Sequence, residues 1–361
     1  MVTLQVERLI DFVADVFVHS DSSAEEARRI ATYLTTANLT GHDSHGVIRV
    51  PVYIRWKKMG SVVPDQTIEL VVNTPSLAVV DGRFGYGQTV APQAVRIGIE
   101  KCKASGLAAV ALRNAGHIGR VGDWAEMAAA EGLVSVHFVN AAGSLLVAPF
   151  GGVQKRLSTA PYCVGIPRKG QDPIVLDFAT SVVAEGKVLV ASRGGKKLPK
   201  GALVDADGSL SEEPAVLYGP YTPDGPRDHT KGTGAIRAFG EHKGSGLAFM
   251  CELLGGALTG TGATSGGRRF ANGMLAFYVD PKVVDTSHVF DAEVSRYADF
   301  IRATRPVAGV DQVLIPGDPE RKTRAERTQN GIPLPDDTWA AIVNTAREVG
   351  VGEVSIQRAT A

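Results

Sequence analysis

Three of the chain's eight histidines lie in two short stretches that glycine residues border. The first stretch is Gly41-His42-Asp43-Ser44-His45-Gly46, and the second is Gly116-His117-Ile118-Gly119. Histidine is the side chain that most readily exchanges protons near neutral pH. A neighbouring glycine lets the backbone turn sharply and lets a ligand approach closely. The two stretches therefore predict one assembled site for proton transfer.

A third glycine-bordered histidine lies far downstream, in Phe239-Gly240-Glu241-His242-Lys243-Gly244. The segment that it opens is rich in Gly and Ala and predicts a closely packed helix. Two basic side chains at the N-terminus of a helix are unfavourable unless an anion binds there. This position favours a ligand phosphate near His242.

Arg49 and Tyr53 follow His45 at intervals of four and eight residues. If the chain is helical after Ser44, these three side chains lie on one face. A guanidinium can bind a carboxylate through two parallel hydrogen bonds, and an imidazole can exchange the proton on a neighbouring oxygen. Pro51 is compatible with such a helix only near its first turn or at a kink. The alternative is that Arg49 forms a structural ion pair and His45 caps a helix.

Leu107–Leu112 predicts a buried strand that leads directly into His117. Gly119 and Gly122 permit backbone amides to face a phosphate or a nicotinamide at the start of the next helix. The alternative is a tight turn with an incidental histidine. Asp177 ends a second predicted strand, where an acid can bind ribose hydroxyls or cap the following helix.

Hydrophobic spacing and capping residues predict the elements that position these groups. The predicted helices are Leu4–Phe17, Ala24–Leu39, Thr89–Ser105, Gly122–Glu131, His242–Thr259 and Asp336–Val349. The predicted strands are Ile68–Val72, Leu77–Asp81, Leu107–Leu112, Val134–Val139 and Ile174–Ala179. Their alternation predicts an α/β layer with ligands near the strand ends.

Two further segments are predicted from composition alone. Arg193–Gly234 is rich in Gly and Pro, which predicts long surface loops and a candidate lid. Glu320–Asn330 is strongly charged, which predicts a solvated segment.

Composition bounds the class of protein. The 361 residues exceed the size of about 250–300 residues at which single cores stop growing, so we expect two lobes. Lys+Arg and Asp+Glu both number 38, which argues against a nucleic-acid partner. The three cysteines are distant from one another, which excludes a disulfide framework and predicts reduced thiols. No apolar run approaches the length of a membrane span, and charges interrupt the N-terminal segment, so we expect a cytoplasmic protein.

Several common catalytic and cofactor motifs are absent from the sequence. Gly85-Tyr-Gly87 and Gly260-Thr-Gly262 both lack the third glycine of the G-x-G-x-x-G dinucleotide motif, so a Rossmann site is not supported. The chain has no P-loop, no H-E-x-x-H and no G-x-S-x-G. Its histidines are too scattered for a recognisable zinc pattern, and we predict no metal.

The order of these motifs resembles the type-2 malate/L-lactate dehydrogenase family, which is distinct from the Rossmann-type lactate and malate dehydrogenases. Within that family, Ala37–Gly46 and Glu241–Gly244 are similar to bacterial hydroxycarboxylate dehydrogenases. The matching stretches span nearly the whole chain. They are His42–Gly46 with Arg49 and Tyr53, Gly116–Gly119 with Gly122 and Trp124, Asp177–Ser181 with Gly186-Lys187, Glu241–Gly244, and Ile315–Glu320 with Gly331–Pro333.

The resemblance implies an NAD- or NADP-dependent enzyme that interconverts 2-keto acids and 2-hydroxy acids. It implies an α/β but non-Rossmann cofactor-binding fold, with a helical lobe that both termini build. We place the helical, substrate and dimerisation lobe at residues 1–120 and 290–361, and the cofactor lobe at residues 121–289. The resemblance also implies a homodimer with active sites near the interface.

The resemblance further implies roles for individual residues. His45 and His117 are the two candidate proton donors, and Arg49 would bind the substrate carboxylate. Asp318 stands where the family more often has glutamate, which puts its contact in doubt. The implied cofactor contacts are His45, Gly119, Arg120, Val121, Val175, Leu176, Asp177, Phe178, Ala179, His242, Asn272, Gly317, Asp318, Pro319 and Glu320.

Two alternatives from other classes remain open at this point. A metal-dependent hydrolase would use His42, His45, His117 and His242 as ligands. A non-catalytic binding module would bind cofactor without oxidising it. The sequence leaves open which 2-keto acid is used, including ureidoglycolate-type and imino-acid substrates. It also does not distinguish NAD from NADP, although Arg268-Arg269 is a candidate pair for a 2′-phosphate.

Overall fold

Helices and strands alternate along most of the chain in a computed structural model that describes residues 1–192, 197–221 and 228–360. The helices are α1 Val6–Val18, α2 Ala24–Leu39, α3 Val50–Lys58, α4 Gly87–Ser105, α5 Gly122–Ala130, α6 Glu185–Ser192, α7 Ala215–Tyr218, α8 His242–Cys251, α9 Pro281–Val284, α10 Phe290–Arg302, α11 Asp318–Asn330, α12 Asp336–Glu348 and α13 Glu353–Thr360. The strands are β1 Val2–Leu4, β2 Glu69–Asn73, β3 Leu77–Asp81, β4 Leu107–Ala115, β5 Val134–Ala142, β6 Val147–Ala148, β7 Pro161–Ile166, β8 Ile174–Ala179, β9 Leu203–Val204, β10 Leu210–Ser211, β11 Ala235–Arg237, β12 Ala271–Val279 and β13 Ile332–Leu334.

A seven-stranded sheet forms the centre of the molecule, in the order β2-β3-β4-β12-β5-β7-β8. Its strands pair antiparallel except for β3 and β4, which are parallel. A Rossmann sheet is mostly parallel and carries its dinucleotide at a switch point between parallel strands. The antiparallel centre therefore accounts for the missing G-x-G-x-x-G motif. The predicted α/β, non-Rossmann class is confirmed.

Both ends of the chain build one helical core. Apolar side chains of α1, α2, α3, α12 and α13 pack together there, with Phe12 against Trp339 at a ring-centroid distance of 5.1 Å. Strand β1 pairs with β13 beside this core. Strands β2 to β4 instead belong to the central sheet, so a division at residue 120 cuts through that sheet.

The ends of α2 follow the predicted local chemistry. The Ser23 side chain accepts a hydrogen bond from the Glu26 amide and caps the first turn. Two residues after the last residue of the helix, Gly41 adopts a φ of 82°, a left-handed conformation that glycine adopts without strain. The chain therefore turns sharply into the first histidine stretch.

The prediction of long surface loops over Arg193–Gly234 holds for only part of the described residues of that segment. It contains β9, β10 and α7, and Leu203 and Leu217 are fully buried in a third apolar core. Strands β9 and β10 belong to a small four-stranded sheet, in the order β10-β9-β11-β6. Residues 193–196 and 222–227, where the remainder of the predicted lid falls, lie outside the described residues.

Candidate active site

The segment that carries His45 and Arg49 is not one continuous helix, which corrects the prediction of a single face. Two 3₁₀ turns, Asp43–His45 and Val47–Arg49, flank Gly46, whose ψ of −156° is extended. Helix α3 begins only after Arg49, and Pro51 occupies its first turn, where no donor is lost.

The Asn38 side chain holds these two turns in place. Its Oδ1 accepts a hydrogen bond from the Val47 amide at 2.8 Å, and its Nδ2 donates to Asp43 Oδ1 at 2.7 Å. A Cβ atom at Gly46 would lie 2.1 Å from Asn38 Oδ1, so only glycine fits there. The glycine that borders His45 therefore serves close packing against α2.

Two charged side chains of helix α11 bind the same segment. Arg327 binds both carboxylate oxygens of Asp43, with Nη1–Oδ1 at 2.6 Å. Glu320 Oε1 lies 3.1 Å from His42 Nε2. The prediction that Glu320–Asn330 is a solvated segment is therefore wrong for these two side chains, because their charges fix the first histidine stretch. His42 is the structural member of that stretch.

His117 follows β4 and is held by close backbone packing. A Cβ atom at Gly87 would lie 2.2 Å from the His117 carbonyl oxygen. Asn272 Oδ1 accepts a hydrogen bond from the Ile118 amide at 2.9 Å, and its Nδ2 donates to the Asn140 carbonyl at 2.7 Å. Both ends of the Asn272 amide are thus occupied by protein groups.

The structure brings His45 and His117 together. Their rings stack with centroids 5.4 Å apart and planes inclined by 13°. Ser44 Oγ lies 3.0 Å from His45 Nδ1, and Tyr53 Oη lies 2.6 Å from His117 Nδ1. The two predicted proton donors therefore form one site, although 72 positions separate them along the chain.

The electrostatic environment keeps both imidazoles neutral. Burial, followed by the charge of Arg49, lowers the pKa of His45 to about 3. The same two causes lower the pKa of His117 well below its ordinary value. Lowered pKa values make both imidazoles weak bases in the free site, and an arriving carboxylate would raise both pKa values.

A hydrogen bond to the Ser44 carbonyl orients the Arg49 side chain. Its Nε donates to the Ser44 carbonyl at 2.6 Å, and its Nη2 lies 3.9 Å from Glu185 Oε2 at the start of α6. The fork therefore retains terminal N–H groups for a carboxylate beside the two histidines.

Three side chains at the site, Gln88, Phe270 and Trp56, are not identified by the sequence pattern. The Gln88 Nε2 donates to Tyr53 Oη at 3.0 Å. Phe270 lies 6.3 Å from the His117 ring and stacks on Trp56 at 4.5 Å. These contacts join α3, α4 and the start of β12, and the apolar residues of this cluster carried no local pattern that distinguished them from core.

The residues implied as cofactor contacts lie mostly around β8. Asp177 Oδ2 accepts a hydrogen bond from the Gly122 amide at 2.7 Å and so caps α5, an earlier helix. The guanidinium of Arg120 is buried between Asp123 and Glu126. Gly119 and Val121 flank it at the start of the same helix.

The segment Gly317–Glu320 packs on the start of β8. A Cβ atom at Gly317 would lie 3.4 Å from the Val175 amide nitrogen. Asp318 binds Arg302 Nη2 at 2.7 Å and Arg321, and these ion pairs lower its pKa. Pro319 lies in the first turn of α11. The Asp318 carboxylate is therefore committed to protein partners.

The far end of β8 approaches His242. Phe178 packs against Phe239 at 5.2 Å, and His242 follows at the N-terminus of α8, 6.0 Å from Phe150. The pair Arg268-Arg269 is largely occupied. Arg268 binds the Thr261 and Ala263 carbonyls, while Arg269 binds the Gly60 and Ser61 carbonyls.

The described part of the chain contains neither a candidate membrane span nor a candidate metal site. Among residues 1–192, 197–221 and 228–360, no helix is long and apolar enough to cross a bilayer. In the same ranges, no group of three or more His, Cys, Asp or Glu side chains is arranged to hold a metal ion.

The profile of the malate/L-lactate dehydrogenase family matches residues 4–343. The chain belongs to this family. It is 38% identical over 357 residues to hydroxycarboxylate dehydrogenase B of Escherichia coli, covering 97% of this chain and 95% of that protein.

Solved structures agree with this assignment. The sulfolactate dehydrogenase of Methanocaldococcus jannaschii superposes with a TM-score of 0.83 at 30% identity, covering 98% of both chains. The malate dehydrogenase of Pyrococcus horikoshii gives a TM-score of 0.84 at 27% identity, covering 97% of this chain and 96% of that one. The predicted family is confirmed, and it supports oxidoreduction of 2-hydroxy acids.

Proposed function

We propose that this protein is an NAD- or NADP-dependent dehydrogenase that interconverts 2-keto and 2-hydroxy acids at the site around Arg49. The observation that carries the proposal is the stacked pair His45 and His117 beside Arg49, whose Nη2 lies 3.9 Å from Glu185 Oε2 and whose terminal N–H groups make no hydrogen bond to a described residue. A carboxylate bound by Arg49 places the neighbouring C2 oxygen within reach of an imidazole. The metal-dependent hydrolase has no such support.

The chain's own residues divide the chemical work. Arg49 binds and orients the substrate carboxylate. One imidazole gives a proton to the C2 oxygen as the keto acid becomes a hydroxy acid, and takes it back in the reverse direction. Phe270 and Trp56 exclude water from one side of His117.

The described residues around β8 fit a nicotinamide dinucleotide. β8 lies at the edge of its sheet and pairs only with β7 among the described strands, so backbone groups of Val175–Ala179 are available to a ligand. Arg120 Nε is buried without a hydrogen-bond partner among the described residues. When bound, the cofactor supplies or accepts the hydride at C2. We propose Gly119–Val121, Val175–Ala179, His242 and Gly317–Glu320 as the residues around it.

The test is a panel of 2-keto acids assayed with NADH and NADPH, using wild-type protein and single alanine variants of His45 and His117. Proton transfer by a positioned side chain contributes about 10²–10⁴-fold. The variant of the true donor should lose a comparable factor in kcat and retain cofactor affinity. Arg49→Lys should chiefly raise KM for the keto acid, because a point charge cannot replace the fork. A loss of less than tenfold in both histidine variants would refute the proposed proton transfer.

We further propose a homodimer in the cytoplasm. Helix α10 is amphipathic, yet Tyr297 and Phe300 are 56% and 64% exposed. Its polar side chains carry both signs of charge, which permits two copies to meet face to face.

The cysteines support the proposed compartment. Cys102, Cys163 and Cys251 are buried free thiols, as predicted, and this supports a reducing compartment.

A further inference from the structure

The hydroxyl of Tyr53 lies between His117 and Gln88 in a sealed part of the site. Tyr53 Oη is 2.6 Å from His117 Nδ1, and Gln88 Nε2 donates to the same oxygen at 3.0 Å. Tyr53 and Gln88 are each 1% exposed, so bulk water does not compete for these bonds. The phenol is therefore the hydrogen-bond partner of His117 Nδ1.

The protonation state of Tyr53 is defined by its surroundings. Burial raises the pKa of its phenol above the ordinary value, so the hydroxyl keeps its proton near neutral pH. A phenol donates one hydrogen bond and accepts others. Gln88 occupies one acceptor position, because its amide nitrogen can only donate. The single phenolic proton is free to turn toward His117.

Two polar atoms of His117 lie within hydrogen-bond distance of Tyr53 Oη. The nearer is Nδ1, and the other is the His117 carbonyl oxygen, 3.3 Å away, to which the hydroxyl donates. Because the hydroxyl donates to the carbonyl, Oη can accept from Nδ1–H, and a neutral ring then keeps its proton on Nδ1 and leaves Nε2 unprotonated. When the ring is protonated, both hydrogen bonds remain and Nε2 also carries a proton. No heavy atom has to move between the two arrangements.

We propose that Tyr53, held by Gln88, is a positioning residue that keeps Nδ1 of His117 bonded in both charge states and assigns the exchange of the substrate proton to Nε2. In keto acid reduction, the Nε2–H bond breaks and an O–H bond forms at the C2 oxygen. The ring keeps its Nδ1 proton, which Tyr53 Oη accepts. The role in catalysis rests on the proposed function, whereas the tautomer is a property of the protein alone.

Tyr86 provides a matched control. Its ring lies 5.9 Å from the Tyr53 ring, and it is also buried. Its hydroxyl has no hydrogen-bond partner among the described residues. Tyr86→Phe therefore removes a phenolic oxygen from the same aromatic cluster without touching His117.

The direct test is ¹⁵N NMR of the full-length protein labelled at histidine, without substrate. The His117 signals are those that disappear in His117→Asn. We expect a protonated Nδ1 and an unprotonated Nε2 in wild type and in Tyr86→Phe, and an altered pattern in Tyr53→Phe. A wild-type neutral ring protonated on Nε2, or an unchanged pattern in Tyr53→Phe, would overturn the proposal.

Kinetics provide the second readout. Tyr53→Phe removes the acceptor for Nδ1–H, which disfavours the protonated ring in the presence of Arg49 and His45. We expect kcat for reduction to fall at least about tenfold, at the lower end of the general acid–base range. We also expect its pH profile to shift to lower pH, while KM for the cofactor is unchanged. Equal kcat and pH profiles in Tyr53→Phe and Tyr86→Phe would contradict the role.

The two proposals fail separately. If no keto acid is reduced but Nδ1 carries the proton in a Tyr53-dependent manner, the proposed function fails and the tautomer assignment stands. If keto acids are reduced but Nε2 carries the proton of the neutral ring, the assignment of Tyr53 fails and the function stands.

Discussion

At the scale of single residues, the site combines two neutral imidazoles with one permanent cation. Burial, followed by the charge of Arg49, lowers the pKa of both histidines, and we propose that Arg49 binds the substrate carboxylate. The substrate's own negative charge would therefore favour the protonated ring that reduction requires. We therefore expect substrate binding and proton uptake to be coupled.

This coupling predicts opposite pH dependences for the two directions. Hydroxy acid oxidation needs a neutral histidine, and a lowered pKa keeps that form as pH falls. We expect kcat/KM for oxidation to stay level down to below about pH 6.5, the ordinary histidine pKa. Keto acid reduction needs the protonated form, so its kcat/KM should rise as pH falls. Profiles of kcat/KM measured in both directions check this, and an acidic limb for oxidation centred above pH 6.5 would contradict it.

Residue types alone were enough to propose the site, but not to find the side chains that hold it in place. His45, His117 and Arg49 stood out because their types and glycine neighbours are unusual together. Tyr53 was noticed only as a fourth member of that pattern, and Gln88 carried no signal. A contact between Tyr53 and His117 bridges 64 positions, and only the folded chain creates it.

At the scale of elements, glycines set how closely the two catalytic segments approach their neighbours. Gly46 permits the Asn38 contact, and Gly87 permits α4 to begin directly beneath His117. In the sequence, Gly85-Tyr-Gly87 stands out only as an incomplete dinucleotide-binding motif. Its actual function is close packing, which local sequence cannot distinguish from cofactor binding.

Substitution at Gly87 should therefore displace His117. A Cβ atom in Gly87→Ala would meet the His117 carbonyl oxygen and the Ile118 Cα, both backbone atoms. Overpacking of this kind costs about 1–3 kcal/mol. We expect a lower unfolding temperature and at least a tenfold loss of kcat/KM for the keto acid. In Gly352→Ala, where an added Cβ atom meets nothing within 4 Å, both values should match wild type. Thermal unfolding and steady-state kinetics check this, and full activity of Gly87→Ala would refute the packing argument.

The order of helices and strands was largely predictable, but their assembly was not. Helix α2 was predicted to its last residue, because Ser23 and Gly41 mark its ends. The insertion of β12 between β4 and β5 was not predicted, since it pairs segments more than a hundred positions apart. Asp177 likewise caps α5, which precedes it in the chain, and not the helix that follows.

At the scale of the whole molecule, the exposed face of α10 predicts the assembly. Replacing Tyr297 and Phe300 by arginine places like charges opposite each other in a symmetric interface. We expect light scattering after size exclusion to give a dimer for wild type and a monomer for this double variant. A wild-type monomer would contradict the proposed homodimer, and a dimeric variant would exclude α10 as the interface. Val354→Arg, at a side chain 62% exposed on α13, serves as the control for surface charge.

Some properties of the protein follow from its family, and others depend on its own side chains. The match over residues 4–343 shows the family and its 2-hydroxy acid chemistry. We expect the choice of substrate and of NAD or NADP to depend on side chains around β8 and Arg49. The occupied guanidinium groups of Arg268 and Arg269 weaken the case for that pair as a 2′-phosphate site.

The central claim is direct transfer of hydrogen from a nicotinamide to C2 of a 2-keto acid at the Arg49 site. The most direct measurement incubates the protein with a panel of 2-keto acids and NADH or NADPH carrying deuterium at both C4 positions, followed by mass spectrometry of the products. The account predicts a 2-hydroxy acid with deuterium at C2 in wild type, and strongly reduced product in either His45→Ala or His117→Ala. Cofactor that remains unoxidised with every 2-keto acid, or a product without deuterium at C2, would contradict it.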